Sequence, residues 1–576
     1  MPRDGQTAAE LALHEQTNLL PHGKLIVVLA TLSTTLLVTF IDQNGISVAL
    51  PTIAADLPGA AATISWAGTA SLIGNTAFQM LYGRLSDLFG RKAVYLAAVA
   101  LLAGADLGCG LSHSPAAFYV CRALAGIGGG GITNLAMIIV SDVVTLDQRG
   151  RYQGIIGAMV GLGNVSGPFL AAALIERAHD WRAFFYMLAP LAALTGILAW
   201  VLLPASPTAR PPWRESVRKI DYGGLLASSS AVVFLLIPLA GGGTYFDWSS
   251  PLVIGMLVVG GLSLAAFVAV EWAWAALPMM PVDLFAAPAV ATMLAQNFLF
   301  GAVYQSCLYY VPLYLQNARG FAPLHSAAVC TALVGAQTLL SILSGQYISR
   351  RRRYAEVLWV GFASWTLGCG LCLLYTRTSP PGVLVAPLLL IGLGVGCIFQ
   401  PMLVALQAHV PPGRRAVITS NRNFFRCAGG AVGLAASAAV LQATLRRKLP
   451  ADYADLASRP YTVPDLAGVP ATDRVEILEA YTAASHAVFT LLVPLIGICL
   501  LGCVLIRDRG LTYHEKGSSA AAEASAEAAI TQDTAVLEAA SVSSHEPAVV
   551  QADMEKGENT SESGESRKET KDEKSR

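Results

Sequence analysis

The sequence predicts an all-α protein that crosses a membrane many times. Of its 576 residues, 54% are hydrophobic and only 13% are charged, whereas soluble domains carry about 25% charged residues. The hydrocarbon core of a bilayer is about 30 Å thick, so a helix needs roughly 20 apolar residues to cross it. Apolar runs of that length recur along the chain, and the formal net charge of zero argues against a nucleic-acid partner.

Fourteen apolar segments are expected to form the membrane spans. They lie near 25–50, 63–82, 93–111, 117–140, 153–175, 183–203, 222–241, 251–273, 289–315, 325–348, 356–375, 382–408, 416–441 and 484–505. Most Lys and Arg residues of the short loops fall on one side of the membrane, among them the Arg350–Arg353 run. Because basic residues accumulate in cytosolic loops, both termini are predicted to be cytosolic.

Two pairs of segments indicate a weak internal repeat. YGRLSDLFGRK (82–92) is echoed by SGQYISRRRRY (344–354), and QRGRYQGIIGAMVGLG (148–163) by GRRAVITSNRNFFRCAGGAVGLA (413–435). Repeated halves around a central site are typical of transporters that expose this site to each side of the membrane in turn.

The repeat and the composition together predict the domain organisation. We expect a cytosolic segment at 1–24, a six-helix bundle at 25–204, a linker with two inserted helices at 205–285, a second six-helix bundle at 286–508 and a cytosolic tail at 509–576. The tail is rich in Ala, Ser, Glu and Lys, so it lacks the apolar content needed to fold and is predicted to be disordered.

An acidic residue interrupts the first apolar segment. FIDQNGISVALP (40–51) places Asp42 in the span, where an acid costs roughly 2.5–3.5 kcal/mol at the membrane centre. At a rise of 1.5 Å per residue, Asp42, Asp106 and Arg122 would all lie roughly 8–12 Å inside the outer ends of their spans. An Asp–Arg–Asp cluster would offset much of the burial cost, and one of its acids is expected to bind and release a proton. A static ion pair is the alternative.

The segment 82–92 resembles a motif of the major facilitator superfamily, G-x-L-x-D-x-x-G-R-K. It matches at Gly83, Leu85, Asp87, Gly90, Arg91 and Lys92. The two glycines would allow a tight cytosolic turn, and Asp87 with the basic residues would form ion pairs across the two halves. Breaking these pairs would gate the transport cycle. A solvated basic loop is the alternative.

Two further motifs support the resemblance. YVCRALAGIGGGG (119–131) is similar to the span-4 motif R-x-x-Q-G, with Arg122 and Gly126 present and Ala125 in place of Gln. GLGNVSGPFLAA (161–172) is similar to the antiporter motif G-x-x-x-G-P-x-x-G-G, and the matching residues are Gly163, Gly167 and Pro168. A pure packing role explains this second motif equally well.

FIDQNGISVALP itself resembles L-D-x-T-x-x-N-V-A-L-P of the fourteen-helix drug:proton antiporters, and departs from it at Asn44 and Ser47. The resemblance covers about residues 25–505 and is strongest to fungal members. It implies a major facilitator fold and proton-coupled export of a drug, secondary metabolite or glycolipid across the plasma membrane. A vacuolar carrier for basic amino acids and a non-transporting sensor are the alternatives. No cluster of residues suited to enzyme catalysis is visible.

Polar residues in the second half are expected to line a cavity for an amphipathic solute. They are Gln296, Asn297, Tyr304, Gln305, Tyr309, Gln337, Gln400 and Arg426. Arg426 would attract an anionic part of the substrate, whereas Arg422 is expected to extend to cytosolic water. Hydrogen bonding between helices is the alternative role for these residues.

The predicted partners are a small-molecule substrate, protons and lipid, and the protein is expected to be a monomer. All ten cysteines fall in apolar segments. They are expected to be small core residues, so we predict no disulfide framework, no metal site and no cofactor.

Overall fold

The computed structural model describes residues 20–58, 63–64, 66–204, 217–242, 246–275, 277–450, 452–453, 456, 469–508 and 510–511. Most of the predicted N-terminal segment and almost all of the predicted disordered tail lie outside these residues. The first part of the predicted linker, 205–216, lies outside them as well.

The described residues form a bundle of long α-helices. These are α1 (His22–Asp56), α2 (Trp66–Phe89), α3 (Arg91–Gly110), α4 (Pro115–Val143), α5 (Leu146–Ala178), α6 (Arg182–Leu202), α7 (Tyr222–Gly241), α8 (Pro251–Ala273), α9 (Pro288–Asn317), α10 (Pro323–Arg351), α11 (Ala355–Leu371), α12 (Pro381–Ile398), α13 (Pro401–Ala408), α14 (Arg415–Lys448) and α15 (Ala471–Gly502). Thirteen helices of the described part are long and apolar enough to cross a membrane, with α12 and α13 forming one of them. Together with α2, whose sequence is more polar, they make fourteen spans, and the predicted fold class is confirmed.

Local sequence signals set several helix starts. Ser114 accepts a hydrogen bond from the backbone N–H of Ala117 (3.3 Å) and is followed by a proline at the first position of α4. Ser250 caps α8 in the same way through the N–H of Val253 (3.2 Å). A proline costs nothing at this position because its missing N–H would have no partner within the helix.

Several helices extend beyond the predicted spans, among them α2, α5 and α15. α2 continues to Phe89, α5 begins at Leu146 and α15 begins at Ala471. The predictions stopped at charged residues, but in α2 and α5 two of these residues, Arg84 and Arg149, are buried within the protein. Arg84, for example, is buried and donates to the carbonyl of Pro278 (2.7 Å). The predicted turn at 82–92 is therefore a helix up to Phe89, and only Gly90 (φ 88°) leaves the helical conformation.

The backbone reproduces the internal repeat. In the two echoed segments, Gly90 aligns with Arg352, and both residues adopt a positive φ, 88° and 56°, directly after a long helix. Gly83 and Gly345 also align, and both lie where a helix of one half meets a helix of the other. A Cβ atom on Gly83 would lie 2.5 Å from Ser420 Oγ of α14, and one on Gly345 would collide with the backbone of Gly150 in α5.

The bundle is closed at one end. We call this the basic-loop end, because Gly90, Arg149 and Arg352 lie there. Every residue of Ile132–Val143 in α4 and of Pro401–Ala408 in α13 is buried, and so is each residue from 416 to 423 in α14. The α2–α14 and α5–α10 contacts seal this end, since small residues allow the helix backbones to approach closely.

Helices α7 and α8, which correspond to the predicted inserted pair, pack on the outside of the bundle. α7 contacts α2 and α14, and α8 packs mainly on α7. Apolar side chains of α8 face outward, as shown by Leu262 (67% exposed) and Trp272 (68% exposed). Such a surface suits contact with lipid.

Candidate proton and substrate sites

The structure brings Asp42, Asp106 and Arg122 together in the first six helices. Arg122 Nη1 lies 2.6 Å from Asp42 Oδ1 and 3.9 Å from Asp106 Oδ1. None of the three side chains is more than 1% exposed. We call these residues the acid cluster.

The acid cluster contains two acidic side chains but only one basic side chain. Asp42 Oδ2 and both carboxylate oxygens of Asp106 have no hydrogen-bond partner in the described part of the chain. With both acids ionised, one guanidinium leaves a net charge of −1 in a buried site, which is costly. One bound proton would bring the net charge to zero and provide a hydrogen for an oxygen that lacks a partner.

Aromatic side chains enclose one side of the acid cluster. The guanidinium of Arg122 lies 5.9 Å from the ring centre of Phe185. This ring packs edge-on against Phe118 (5.8 Å), Trp181 (5.9 Å) and Phe184 (5.4 Å). An apolar wall screens charge poorly, so the protonation state of the acids has a large effect on the energy of the site.

A run of glycines in α4 allows the acid cluster to form. A Cβ atom on Gly126 would collide with the backbone of Ser71 in α2. One on Gly128 would lie 2.8 Å from the backbone nitrogen of Leu102 in α3, and one on Gly129 would lie 2.8 Å from Gln43 in α1. The glycines therefore let three helices approach α4, and two of these, α1 and α3, carry the acids.

The glycines of the span-5 motif pack α5 against α1 on either side of Asp42. A Cβ atom on Gly163 would lie 2.6 Å from Phe40 Cβ, and one on Gly167 would lie 2.8 Å from the carbonyl oxygen of Ile41. Pro168 follows inside the same helix. This geometry accounts for the motif by packing, and an antiporter role stays a prediction.

Several ion pairs and hydrogen bonds of the 82–92 motif lie within the first half, and the predicted gating pairs across the two halves stay a prediction. Asp87 pairs with Arg91 (2.6 Å), and Arg91 Nε also binds Asp142 (2.8 Å). Lys92 donates to the carbonyl of Leu203 (2.7 Å). These contacts join helices of the first half to one another, because the turn at Gly90 directs the basic side chains back toward α2, α4 and the end of α6. In this motif, Gly83 contacts the second half through close packing.

Two arginines of α14 flank one aromatic ring in the second half. The guanidinium carbons of Arg422 and Arg426 lie 5.1 Å and 4.8 Å from the ring centre of Phe399. Arg422 is fully buried and donates to the carbonyl of Phe399 and to Asn423 Oδ1 (2.7 Å). Arg422 is therefore not in contact with water, and the prediction that it extends to cytosolic water is wrong. Neither arginine forms an ion pair with a described carboxylate, so the pair presents positive charge without an acid.

Polar groups from both halves gather beside Arg426. Tyr304 donates to Gln337 Oε1 (3.2 Å) and accepts a longer hydrogen bond from Asn164 Nδ2 (3.4 Å). The ring of Tyr304 also packs on Phe399, with 5.6 Å between the centroids. We call Arg426, Tyr304, Gln337 and Phe399 the cationic cluster. It offers a positive charge and hydrogen-bond donors with no acid paired to the charge, whereas Arg122 of the acid cluster is paired with Asp42.

The other predicted cavity residues make different contacts. Gln400 is buried against α5 near Gly157, and its amide atoms have no partner in the described part of the chain. Gln296 donates to the carbonyl of Cys499 (2.7 Å) and so holds α9 to α15. Asn297 donates to the carbonyl of Met293 (2.6 Å) in its own helix.

The last two of these residues lie farther along α9. Gln305 is half-buried beside Gly430, and Tyr309 is 46% exposed.

Sequence reasoning missed two polar residues that link α1 to α5 and, through Tyr304, to the cationic cluster. Asn44 Nδ2 donates to Asn164 Oδ1 (2.8 Å), which joins α1 to α5. Asn44 already departs from the antiporter pattern, and Asn164 is a polar residue within a glycine motif. Either feature could have drawn attention to them, but their pairing depends on the packing of the two helices.

Comparison with known proteins identifies the family. The Major Facilitator Superfamily pattern matches residues 32–434. The chain belongs to the major facilitator superfamily. Its proteins are membrane transporters and not enzymes, so the predicted family, fold and absence of enzyme activity are confirmed.

Relatives of the chain include fungal transporters. Citrate exporter 1 of Yarrowia lipolytica is 46% identical over 522 residues, which cover 89% of this chain and 76% of that protein. MFS-type transporter clz4 of Cochliobolus lunatus is 42% identical over 504 residues, which cover 88% and 90% of the two chains.

A solved structure shares the fold. The human organic anion transporter MFSD10 aligns with a TM-score of 0.53 and 16% identity, covering 85% of this chain and 100% of the other. At this identity, the likeness concerns the fold alone.

Proposed function

We propose that this transporter exports a small organic anion in exchange for protons. One observation carries the proposal: the acid cluster and the pair of α14 arginines hold opposite excess charge. The first half holds two acids and one arginine in the acid cluster, and the second half holds Arg422 and Arg426 with no acid paired to either. A buried site with more acidic than basic groups is suited to binding a proton, and a site with more basic than acidic groups is suited to binding an anion.

The acid cluster is the proposed proton site. A proton on Asp42 or Asp106 neutralises the cluster, and losing it restores the full attraction to Arg122. Moving one charge across 100 mV supplies about 2.3 kcal/mol, which is enough to drive more than a tenfold concentration ratio of an exchanged solute. Arg122 keeps the acids in place and prevents a full charge from being left alone in the membrane.

The cationic cluster is the proposed substrate site. A carboxylate near Arg426 would form a charge-assisted hydrogen bond, and the hydroxyl of Tyr304 would provide a second donor. The relative from Yarrowia lipolytica is named a citrate exporter, so citrate is the first candidate to test. The rings of Phe399 and Tyr304 also suit an amphipathic metabolite that carries a carboxylate, and this is the second candidate.

The closed end also bears on alternating access, the exposure of the binding sites to each side of the membrane in turn. We propose that the basic-loop end faces the cytosol, because basic residues accumulate in cytosolic loops. The structure would then represent an outward-facing conformation. Opening would separate α2 from α14 and α5 from α10, where close glycine contacts now meet, and would expose the cationic cluster to cytosolic anion.

The cell membrane is the proposed location, with the vacuolar membrane as the alternative. Export of a basic amino acid is disfavoured because Arg422 and Arg426 would repel a cationic substrate. A non-transporting sensor would not need the acid cluster. We expect a single chain to form the complete path, since both clusters lie within it.

The proposal is tested with full-length protein in sealed vesicles under an imposed pH gradient. Wild-type protein should move citrate against its gradient when protons flow the other way. Asp42→Asn should insert normally and lose this pH-driven transport, because an amide cannot bind and release the proton. Equal pH-driven transport by wild-type and Asp42→Asn protein would overturn the proposed proton site.

A further inference from the structure

A chain of hydrogen bonds runs from α1, the helix that carries Asp42, to the cationic cluster. It begins at Asn44, which lies two residues after Asp42 on α1, about 3 Å along the helix axis but on a different side of the helix, so the helix itself joins Asn44 to the acid cluster. The Asn44 amide donates to the carbonyl of Phe40 (3.0 Å) and to Asn164 Oδ1 (2.8 Å). Its orientation is thus fixed by its own helix as well as by α5.

Asn164 carries the chain across to the second half. Its Nδ2 donates to the hydroxyl of Tyr304 (3.4 Å) on α9, and this hydroxyl donates to Gln337 Oε1 (3.2 Å) on α10. The first of these distances is near the upper limit for a hydrogen bond. The contact between the halves is therefore the weakest bond of the chain and the first to break when the halves move.

The helix that carries Asn164 has little freedom to move alone. A Cβ atom on Gly161 would collide with the side chain of Thr338 in α10, and one on Gly163 would lie 2.6 Å from Phe40 in α1. Since α5 is tightly packed against both helices at this level, a shift of α1 is passed on to the contact with Tyr304.

We propose that Asn164 couples the protonation state of the acid cluster to occupancy of the cationic cluster. This inference rests on the proposed function. The Tyr304 hydroxyl has a single hydrogen, so it donates either to Gln337 or to a substrate carboxylate beside Arg426. Its oxygen accepts the hydrogen from Asn164 in both cases. Protonation of Asp42 weakens its pairing with Arg122, shifts α1, and through Asn44 draws Asn164 away from Tyr304.

Asn164 is a positioning residue in this scheme, so its loss should affect coupling more than substrate binding. The test compares wild-type, Asn164→Leu and Tyr304→Phe protein in proteoliposomes, with citrate as the probe. Two rates are measured: citrate counterflow without a pH gradient, and citrate accumulation driven by a pH gradient. In Asn164→Leu, accumulation should fall about 3- to 10-fold more than counterflow, as expected for one lost hydrogen bond.

The double variant and a control sharpen the test. The double variant Asn164→Leu/Tyr304→Phe should lower accumulation relative to counterflow no more than Asn164→Leu alone does, because both substitutions break the same chain of hydrogen bonds. Ser437→Ala is the control, because it removes a buried bond between α14 and Ser306 of α9 (3.0 Å) away from the chain. It should leave the ratio of the two rates unchanged.

Four results separate the possible failures. Equal losses of counterflow and accumulation in Asn164→Leu would assign the residue to binding or folding and overturn the coupling role. Wild-type rates of both counterflow and accumulation in Asn164→Leu would also overturn the coupling role. If pH-driven transport also persists in Asp42→Asn, the proposed function fails. If it is lost there but intact in Asn164→Leu, only the coupling role fails.

Discussion

Adding one methyl group at Gly154 should open the closed end of the transporter. Gly154 lies on α5 where this helix meets α10. A Cβ atom there would be 2.5 Å from the backbone carbonyl oxygen of Ser341 and 3.4 Å from the Cα of Gly345. These neighbours are backbone atoms, so no flexible side chain can move aside. The two helices must separate.

The size of the effect follows from this distance. Relaxing the contact to an ordinary ~3.2 Å moves the helices apart by ~0.7 Å, and a gap of this size forfeits roughly a quarter to a half of each contact energy. Overpacking of this kind costs about 1–3 kcal/mol. The cost falls only on the conformation closed at this end, so Gly154→Ala should shift the equilibrium toward opening by about 5- to 150-fold.

Amide hydrogen exchange in nanodiscs measures this opening. In Gly154→Ala, peptides covering 146–154 and 341–351 should exchange faster than in wild-type protein. Gly335→Ala is the matched control on α10, because a Cβ atom at Gly335 would have no neighbour within 4 Å, and it should exchange like wild-type protein. Unchanged exchange in Gly154→Ala, or an equal increase in the control, would refute the argument.

Two further substitutions test other parts of the account. Arg426→Gln should raise the KM for citrate about 10- to 150-fold, the value of a charge-assisted hydrogen bond. Arg426→Lys should raise it less, Arg177→Gln at an exposed position should not change it, and an unchanged KM in Arg426→Gln would argue against the substrate site. Glu271 accepts hydrogen bonds from the backbone of Met279 (3.1 Å) and Met280 (3.0 Å). Glu271→Gln should therefore lower the thermal midpoint in detergent by several degrees, and an unaltered midpoint would show that these bonds contribute little.

The acid cluster could be predicted from the sequence because charges stand out in apolar segments. The constant rise of a helix then gave the depths of Asp42, Asp106 and Arg122, and the structure places the three side chains together. Motif glycines such as Gly163 and Gly167 were identified for a similar reason, since small residues mark close helix contacts.

Other features depend on which side of a helix meets which neighbour. Arg422 lies near a helix end, so extension to water was a reasonable expectation, but packing of α14 directs it to the Phe399 carbonyl. Gln296 has the composition of a cavity residue but faces α15. Asn164 gains its importance from Asn44 and Tyr304, residues far from it in sequence. Sequence spacing gives the depth of a residue along its helix, but it does not give which neighbouring helix the side chain contacts.

Proton movement across proteoliposomes during citrate flow tests the central claim most directly. A citrate gradient is imposed without a pH gradient, and the internal pH is recorded for wild-type and Asp42→Asn protein. We predict that wild-type protein moves protons opposite to citrate and that Asp42→Asn moves none while it still exchanges citrate. The same proton movement in both proteins would contradict the claim that the acid cluster carries the proton.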